Sequence, residues 1–307
     1  VLLAPAPWEN FELFAEQIIS GLATGGVYAL TALALVLIFR STDIVNFAQG
    51  EMAMFVTFTM YSLYLADFPA WSLILVGITV AFAFGGALER VVIRPVEAAP
   101  ILTIVVVTLG LFVLLNSLAT WIWFQTGEPK YFPTPFGDQS IDLGVARVTR
   151  HQVGIMVTAL LIAGLLYLLF NHTKIGLAMR ATAQNPLASR LMGINVGWML
   201  TLGWALASAV GAVAGMLIAH TTFLAPYFMI SVVLYAFAAA VLGGLNSPPG
   251  AIVGGFLIGV MENLLGTYTP AEILGAEMKL PLTLLLLVIV LLFRPTGIFG
   301  ERQVRRV

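Results

Sequence analysis

An all-α fold, a polytopic membrane bundle of about eight to nine transmembrane helices with broken or re-entrant segments, is what this sequence predicts. Three observations predict it. Of 307 residues, 60% are hydrophobic and 9% charged, against roughly 45–50% apolar and 25% charged in soluble domains, and the mean hydropathy is +1.00. The apolar residues fall into segments near the ~20 residues that carry a helix across a ~30 Å hydrocarbon layer, where backbone polar groups find partners only inside the segment. Most of the 29 glycines sit within those segments, some four apart as in Gly211 to Gly215 and Gly255 to Gly259, which suits close helix packing in lipid. Residues 1–307 therefore read as one transmembrane domain.

Taken in order, residues 1–17 carry Glu9, Glu12 and Glu16 without a basic n-region, so no cleavable signal is expected. Strong spans are 18–38, 70–92, 100–122, 152–170, 196–219 and 280–293, the last short unless it extends past Arg294. Segment 44–65 is weaker because it carries Gln49 and Glu51. Segments 231–245 and 250–265 are separated by Asn246-Ser247-Pro248-Pro249-Gly250. At 1.5 Å per residue, 231–245 covers only about 22 Å, which predicts a broken or re-entrant helix shielded by protein or a wet cavity.

If all nine segments cross, one side receives Arg40, Arg90, Arg94, Lys174, Arg180, Arg190, Arg294, Arg302, Arg305 and Arg306, and the other Lys130, Arg147, Arg150 and Lys279. The positive-inside rule then puts the carboxyl terminus in the cytoplasm and the amino terminus outside. Eight spans would put the amino terminus inside. Residues 123–151, with Pro129, Pro133, Pro135, Gly137 and Gly144, form an extracytoplasmic loop longer than the ~12–15 residues typical of plain connections. Residues 171–195 form a cytoplasmic loop that predicts one or two short amphipathic helices broken at Asn185-Pro186. Two readings of this loop stand side by side: a docking surface for a cytosolic partner, or a helix lying on anionic headgroups.

Charges at membrane depth are costly, so they usually face a cavity or a partner. Glu51, with Asn46 and Gln49 beside it, and Glu262 are candidates for a translocation path; Thr24, Tyr28, Asn116 and Tyr235 are further polar candidates. The plainer alternatives are that Glu51 caps a helix or pairs with Arg40, that Glu262 is wetted near the end of its span, and that hydroxyls and amides bond between helices. The two halves also rhyme, each having a glycine-bearing span followed by an interrupted one (18–65 and 196–265), as in repeat-built transporters.

Several classes are excluded. A net charge of −1 gives no basic footprint for nucleic acid. There is no cysteine, and His151, His172 and His220 are too far apart in sequence for a local metal motif. No G-x-x-x-x-G-K-[ST] occurs, and Lys130, Lys174 and Lys279, the three lysines, lie in no glycine loop. Without hydrolase motifs or a chain of intramembrane acids and histidines, transport driven by another chain outranks catalysis and proton pumping. A stand-alone channel or secondary carrier is the rival class.

The segments TGGVYALTALALVLIFRSTDIVNFAQGEMAMF (24–55), ALERVVIRPVEAAP (87–100), RATAQNPLASRLMGIN (180–195), AFAAAVLGGLNSPPGAIVGGFLIGVMENL (236–264) and RPTGIFG (294–300) together resemble the branched-chain amino-acid ABC importer permeases, the subunit type with an N-F-A-[HQ]-G-E segment. The likeness runs from about residue 18 to 300. It implies a type II ABC importer permease of the bacterial or archaeal inner membrane. Its partners would be a second related permease, two cytosolic ATPases that bind ATP and Mg, and an extracytoplasmic binding protein, with no cofactor of its own. Branched-chain or other neutral amino acids are the implied substrates, with urea, short amides or aromatic acids as the alternative. The resemblance also puts Ala183, Gln184, Asn185, Leu187, Ala188, Arg190, Leu191 and Gly193 in the coupling segment that docks on the ATPase. Relatives often carry an acidic residue where Gln184 stands, so a hydrogen bond would replace an ion pair there.

Overall fold

The computed structural model describes residues 11–42, 44–142, 144, 146–268, 278–294 and 297–299. Arg302, Arg305 and Arg306, three of the basic residues assigned above to the cytoplasmic side, lie outside the described residues, as do Pro295, Thr296 and Gly300 of the last motif. The helices are α1 (Phe11–Thr42), α2 (Gln49–Tyr64), α3 (Ala70–Leu88), α4 (Ile101–Trp123), α5 (Arg150–His172), α6 (Lys174–Gln184), α7 (Pro186–Leu191), α8 (Val196–Thr222), α9 (Phe228–Gly243), α10 (Pro248–Tyr268) and α11 (Lys279–Phe293). Six of the described helices are long and apolar enough to cross a membrane, and α9 and α11 are shorter apolar ones. Each segment expected to span has its helix. A short hairpin, β1 (Ser140–Asp142) with β2 (Arg147–Thr149), lies inside the long 123–151 loop, with Ser140 opposite Thr149 and Asp142 opposite Arg147.

Among the six span-length helices α1 and α8 are the most enclosed, and small residues decide what packs on them. A β-carbon placed on Gly21 would lie 2.7 Å from the Val260 Cα, and one on Gly25 would lie 2.8 Å from the Phe256 Cα. On the facing helix, Gly255 and Gly259 abut the backbone of Ala29 and Gly25. Helices α1 and α10 therefore meet backbone to backbone, the close approach that small residues four apart permit. Helix α3 meets α8 in the same manner: a β-carbon on Gly85 would fall 2.7 Å from the Trp204 carbonyl oxygen, and one on Gly77 2.7 Å from the end of Met216.

These pairings give the rhyme between halves a physical form. Each half opens with a long buried helix, α1 or α8, followed by a 16-residue helix, α2 or α9. The long helix of each half then packs on the third helix of the other, α1 on α10 and α8 on α3.

Helix α2 begins inside the bundle. The Gln49 amide donates to the Ala207 carbonyl at 3.1 Å, and Ala207 stands about 17 Å along α8 from its first residue at 1.5 Å per residue. The irregular residues 44–48 before it are largely enclosed, with Asn46 and Ala48 at 0% exposure. Non-helical backbone at such depth is tolerated because protein surrounds it.

At one end of the bundle, residues 124–149 are tied down at several points. Lys130 and Leu224 exchange backbone hydrogen bonds of 2.9 and 2.8 Å, the Arg147 N–H donates to Glu16 at 3.0 Å, and Asp138 bonds the His220 ring at 2.8 Å. Helices α6 and α7 occupy the other end, beside the end of α1 and the start of α8.

Candidate functional site

The path candidates gather into two clusters. Asn46, Gln49, Glu51 and Asn116 come together where α2 begins. Asn46 accepts from the Ala48 N–H at 3.0 Å and directs its own amide toward Gln49, 3.4 Å away. Asn116, from α4, donates to Glu51 at 3.1 Å. Glu51 is 1% exposed and sits in the first turn of α2, where the partial positive charge of the helix terminus favours a carboxylate. The Arg40 pairing considered for Glu51 is replaced by this amide. Beside the cluster a cavity of about 190 Å³ is walled by Phe47, Gly50 and Glu51 of the α2 start, Leu109 and Phe112 of α4, and Met229, Ile230, Val233 and Leu234 of α9.

The second cluster lies where α1, α9 and α10 cross. Tyr28 donates to Glu262 at 2.8 Å, and its ring stacks on Tyr235 at 4.9 Å between centroids. Glu262 is therefore bonded across helices. Thr24 joins neither cluster: its hydroxyl donates to the Ser20 carbonyl one turn earlier in α1.

The 171–195 loop folds into α6 and α7 by local rules. Thr173 caps α6 by accepting from the Gly176 N–H at 3.0 Å. Asn185 caps α7 by accepting from Ala188 at 2.9 Å, with Pro186 at the first helical position, where its missing N–H costs nothing. Gly193 ends the turn at φ +81°, a conformation that favours glycine, and Asn195 caps α8. Met179, Thr182 and Ser189 are buried and anchor the pair of short helices. Of the coupling candidates, Gln184, Asn185, Leu187, Ala188, Arg190, Leu191 and Gly193 are exposed, and Ala183 is half-buried. Leu187 and Leu191, one turn apart, are 70% and 83% exposed. Among the described residues these leucines are uncovered, beside the polar side chains of Asn185 and Arg190.

Two polar groupings escaped the sequence reading. Helix α3 ends in a π-type turn (Glu89–Ile93). There the Arg94 guanidinium meets Glu89 at 3.2 Å and donates to Gly197 O and Thr201 Oγ1, each at 2.8 Å, while Thr201 donates to Glu89 at 2.7 Å. Five residues apart, two side chains diverge by about 140° on an α-helix, and the wider π turn closes that gap. The ERVVIR spacing was the available signal.

The second grouping is at the opposite end. His151 and His220, 69 positions apart in the chain, bring their rings to 4.6 Å. His151 is bonded to Thr134 (2.8 Å) and Leu217 O (3.0 Å), and His220 to Phe132 O (3.0 Å) and Asp138 (2.8 Å). Distance in sequence hid this pairing. Among the described residues no group of three His, Cys, Asp or Glu side chains is arranged to hold a metal.

The profile of the family described as branched-chain amino acid transport system / permease component matches residues 17–292. The chain is similar to the high-affinity branched-chain amino acid transport system permease protein LivH of Escherichia coli (strain K12), 30% identical over 313 residues covering 97% of this chain and 99% of the relative. It is similar to BraD of Pseudomonas aeruginosa, described in the same words, at 32% identity over 310 residues with 96% and 98% coverage. A probable branched-chain amino acid transport permease protein LivH of Methanocaldococcus jannaschii is 30% identical, with 94% of each chain covered.

Proposed function

The chain belongs to the branched-chain amino acid transport permease family, and we propose that it carries branched-chain or other neutral amino acids into the cytoplasm as the permease subunit of an ABC importer. The observation that carries this reading is the family match over residues 17–292. The partners are ATPase and binding-protein components of the transporter. In the finer reading, a second related permease and two ATPases complete the importer, the ATPases bind ATP and Mg, and the carboxyl terminus is cytoplasmic.

Helices α6 and α7 are the coupling element. Leu187 and Leu191 offer an apolar knob, and Gln184, Asn185 and Arg190 frame it with hydrogen-bonding groups. That arrangement suits a groove on a cytosolic subunit, since an uncovered apolar patch with a polar rim marks an interaction site. Ala183, Ala188 and Gly193 keep the surface low enough to seat. The loop 123–151 faces the other side, where the binding protein delivers substrate. The wall of Phe47, Glu51, Met229 and Val233, backed by Asn46, Gln49 and Asn116, is this chain's share of the path. Tyr28, Tyr235 and Glu262 support it by fixing α9 against α1 and α10, while Thr24 bonds only within α1. ATP binding draws the coupling elements together and switches the opening of the permease pair, a rigid-body transition between packed helices.

Reconstitution tests the reading. Proteoliposomes holding the chain with its partner permease and ATPases should take up labelled leucine only when binding protein and ATP are both supplied. Uptake by this chain alone without ATP would establish the carrier or channel reading instead.

A further inference from the structure

A cleft between α1, α5, α6 and α10 is used by neither the path nor the coupling surface. Its volume is about 370 Å³. Arg40 and Arg180 line it together with Asn171 and Tyr167, and Leu33, Leu166, Phe170 and Ile252 are among its apolar walls. Its charged lining residues are both arginines. The Arg180 Nε is enclosed and has no hydrogen-bond partner, and its Nη1 reaches only a long 3.4 Å contact with Asn171. An enclosed guanidinium N–H without an acceptor is costly, and an anionic oxygen supplies one.

We propose that this cleft binds an anionic phospholipid, its phosphate between Arg40 and Arg180 and an acyl chain along the apolar wall. Guanidinium groups recognise phosphate through several parallel N–H donors, and basic pockets between membrane helices hold anionic headgroups. The shape favours a lipid over a free anion. From Arg40 to Leu33 the cleft follows α1 for about 10 Å at 1.5 Å per residue, and a free phosphate gains nothing from that apolar length. The neighbouring face of α5 is open: Leu165, Tyr167 and Leu168 are exposed, so a lipid enters sideways from the bilayer. Because Arg180 belongs to α6, the lipid ties the base of the α6–α7 element to α1, α5 and α10. The amphipathic loop thus serves both readings that its sequence allowed, with α7 docking a protein and α6 holding a headgroup.

Native mass spectrometry of the full chain, released from detergent after exchange with phosphatidylglycerol or phosphatidylcholine, tests this without depending on transport. The unmodified chain should retain one phosphatidylglycerol, roughly tenfold above phosphatidylcholine, and millimolar inorganic phosphate should not displace it. R180Q and R40Q should each lose that preference, whereas R147Q, at the other end of the bundle, should keep it. Equal retention of the two lipids by the unmodified chain overturns the proposal whether or not the variants fold. So does displacement by inorganic phosphate, which would make a free anion the ligand, and so does unchanged preference in both R180Q and R40Q.

Discussion

Glu51 and Asn116 are 1% and 3% exposed and satisfy each other at 3.1 Å, so removing either leaves the other without its observed partner. Glu51→Ala should lower thermal stability by about 1–3 kcal/mol, the cost of an unpaired buried polar group, and abolish amino-acid uptake. Glu51→Gln keeps the shape and an acceptor for Asn116. It should therefore melt close to the unmodified protein while still losing uptake if the carboxylate serves the path; normal uptake in Glu51→Gln would reduce Glu51 to a helix tie. Glu89→Ala should cost roughly 1–3 kcal/mol without changing the cavity at Glu51, because it strips Arg94 and Thr201 of a shared partner, as a melting curve would report. At this scale the sequence was uneven. Glu51, Gln49 and Asn116 stood out because polar groups in an apolar segment need a reason. Glu89 did not, because its partner lies five residues on, a spacing that an α-helix separates and only the π turn closes.

Among the helices, the seam between α1 and α10 is the most demanding, and the α10 pair Gly255 and Gly259 was visible beforehand as small residues four apart. What was not visible was that they face α1, since a spacing pattern names a surface and not its partner. Gly255→Leu should prevent a stable fold or lower the melting temperature severely, because its β-carbon would overlap the Ala29 backbone, beyond the ~1–3 kcal/mol typical of overpacking. Gly110→Leu, with no neighbouring atom within 4 Å of its β-carbon, should leave the melting temperature unchanged, and a large drop there would contradict the packing. In the loop between α5 and α8, Asn185-Pro186 was legible as a break, whereas the caps Thr173, Asn185 and Asn195 emerge from the folded geometry. Arg190→Ala should leave stability within about 0.5 kcal/mol, as for exposed substitutions generally, yet separate ATP hydrolysis from substrate in the reconstituted importer. Retained substrate-stimulated hydrolysis and uptake would remove Arg190 from the coupling surface.

For the whole molecule, hydropathy and length sufficed to put a helix in every expected segment, because lipid allows a buried chain little besides helix. The crosswise pairing of halves was beyond it: the halves share a pattern of long and interrupted helices without shared residues, and packing partners follow from side-chain shape. The same holds for the 124–149 segment, read as a loop from its prolines and glycines. Its folded state depends on distant groups, Glu16 of α1 and His220 of α8. Asp138→Ala should loosen this cover and raise its cleavage rate by added protease while the bundle's melting temperature holds; unaltered cleavage would mean that the Lys130–Leu224 and Arg147–Glu16 ties carry the attachment without Asp138.

The glycine contacts between α1 and α10 also limit how the molecule can move. Where backbones touch there are no side chains to change rotamer, so the seam has no play and the two helices form one stiff strut. Any switch of the permease must then bend at joints elsewhere, and two are built in: the irregular stretch 44–48 leading into α2, and the turn into α9, where Phe223 and Tyr227 hold left-handed backbone at φ 60° and 72°. The strut transmits displacement from one face of the membrane to the other, and the joints decide where the chain gives way.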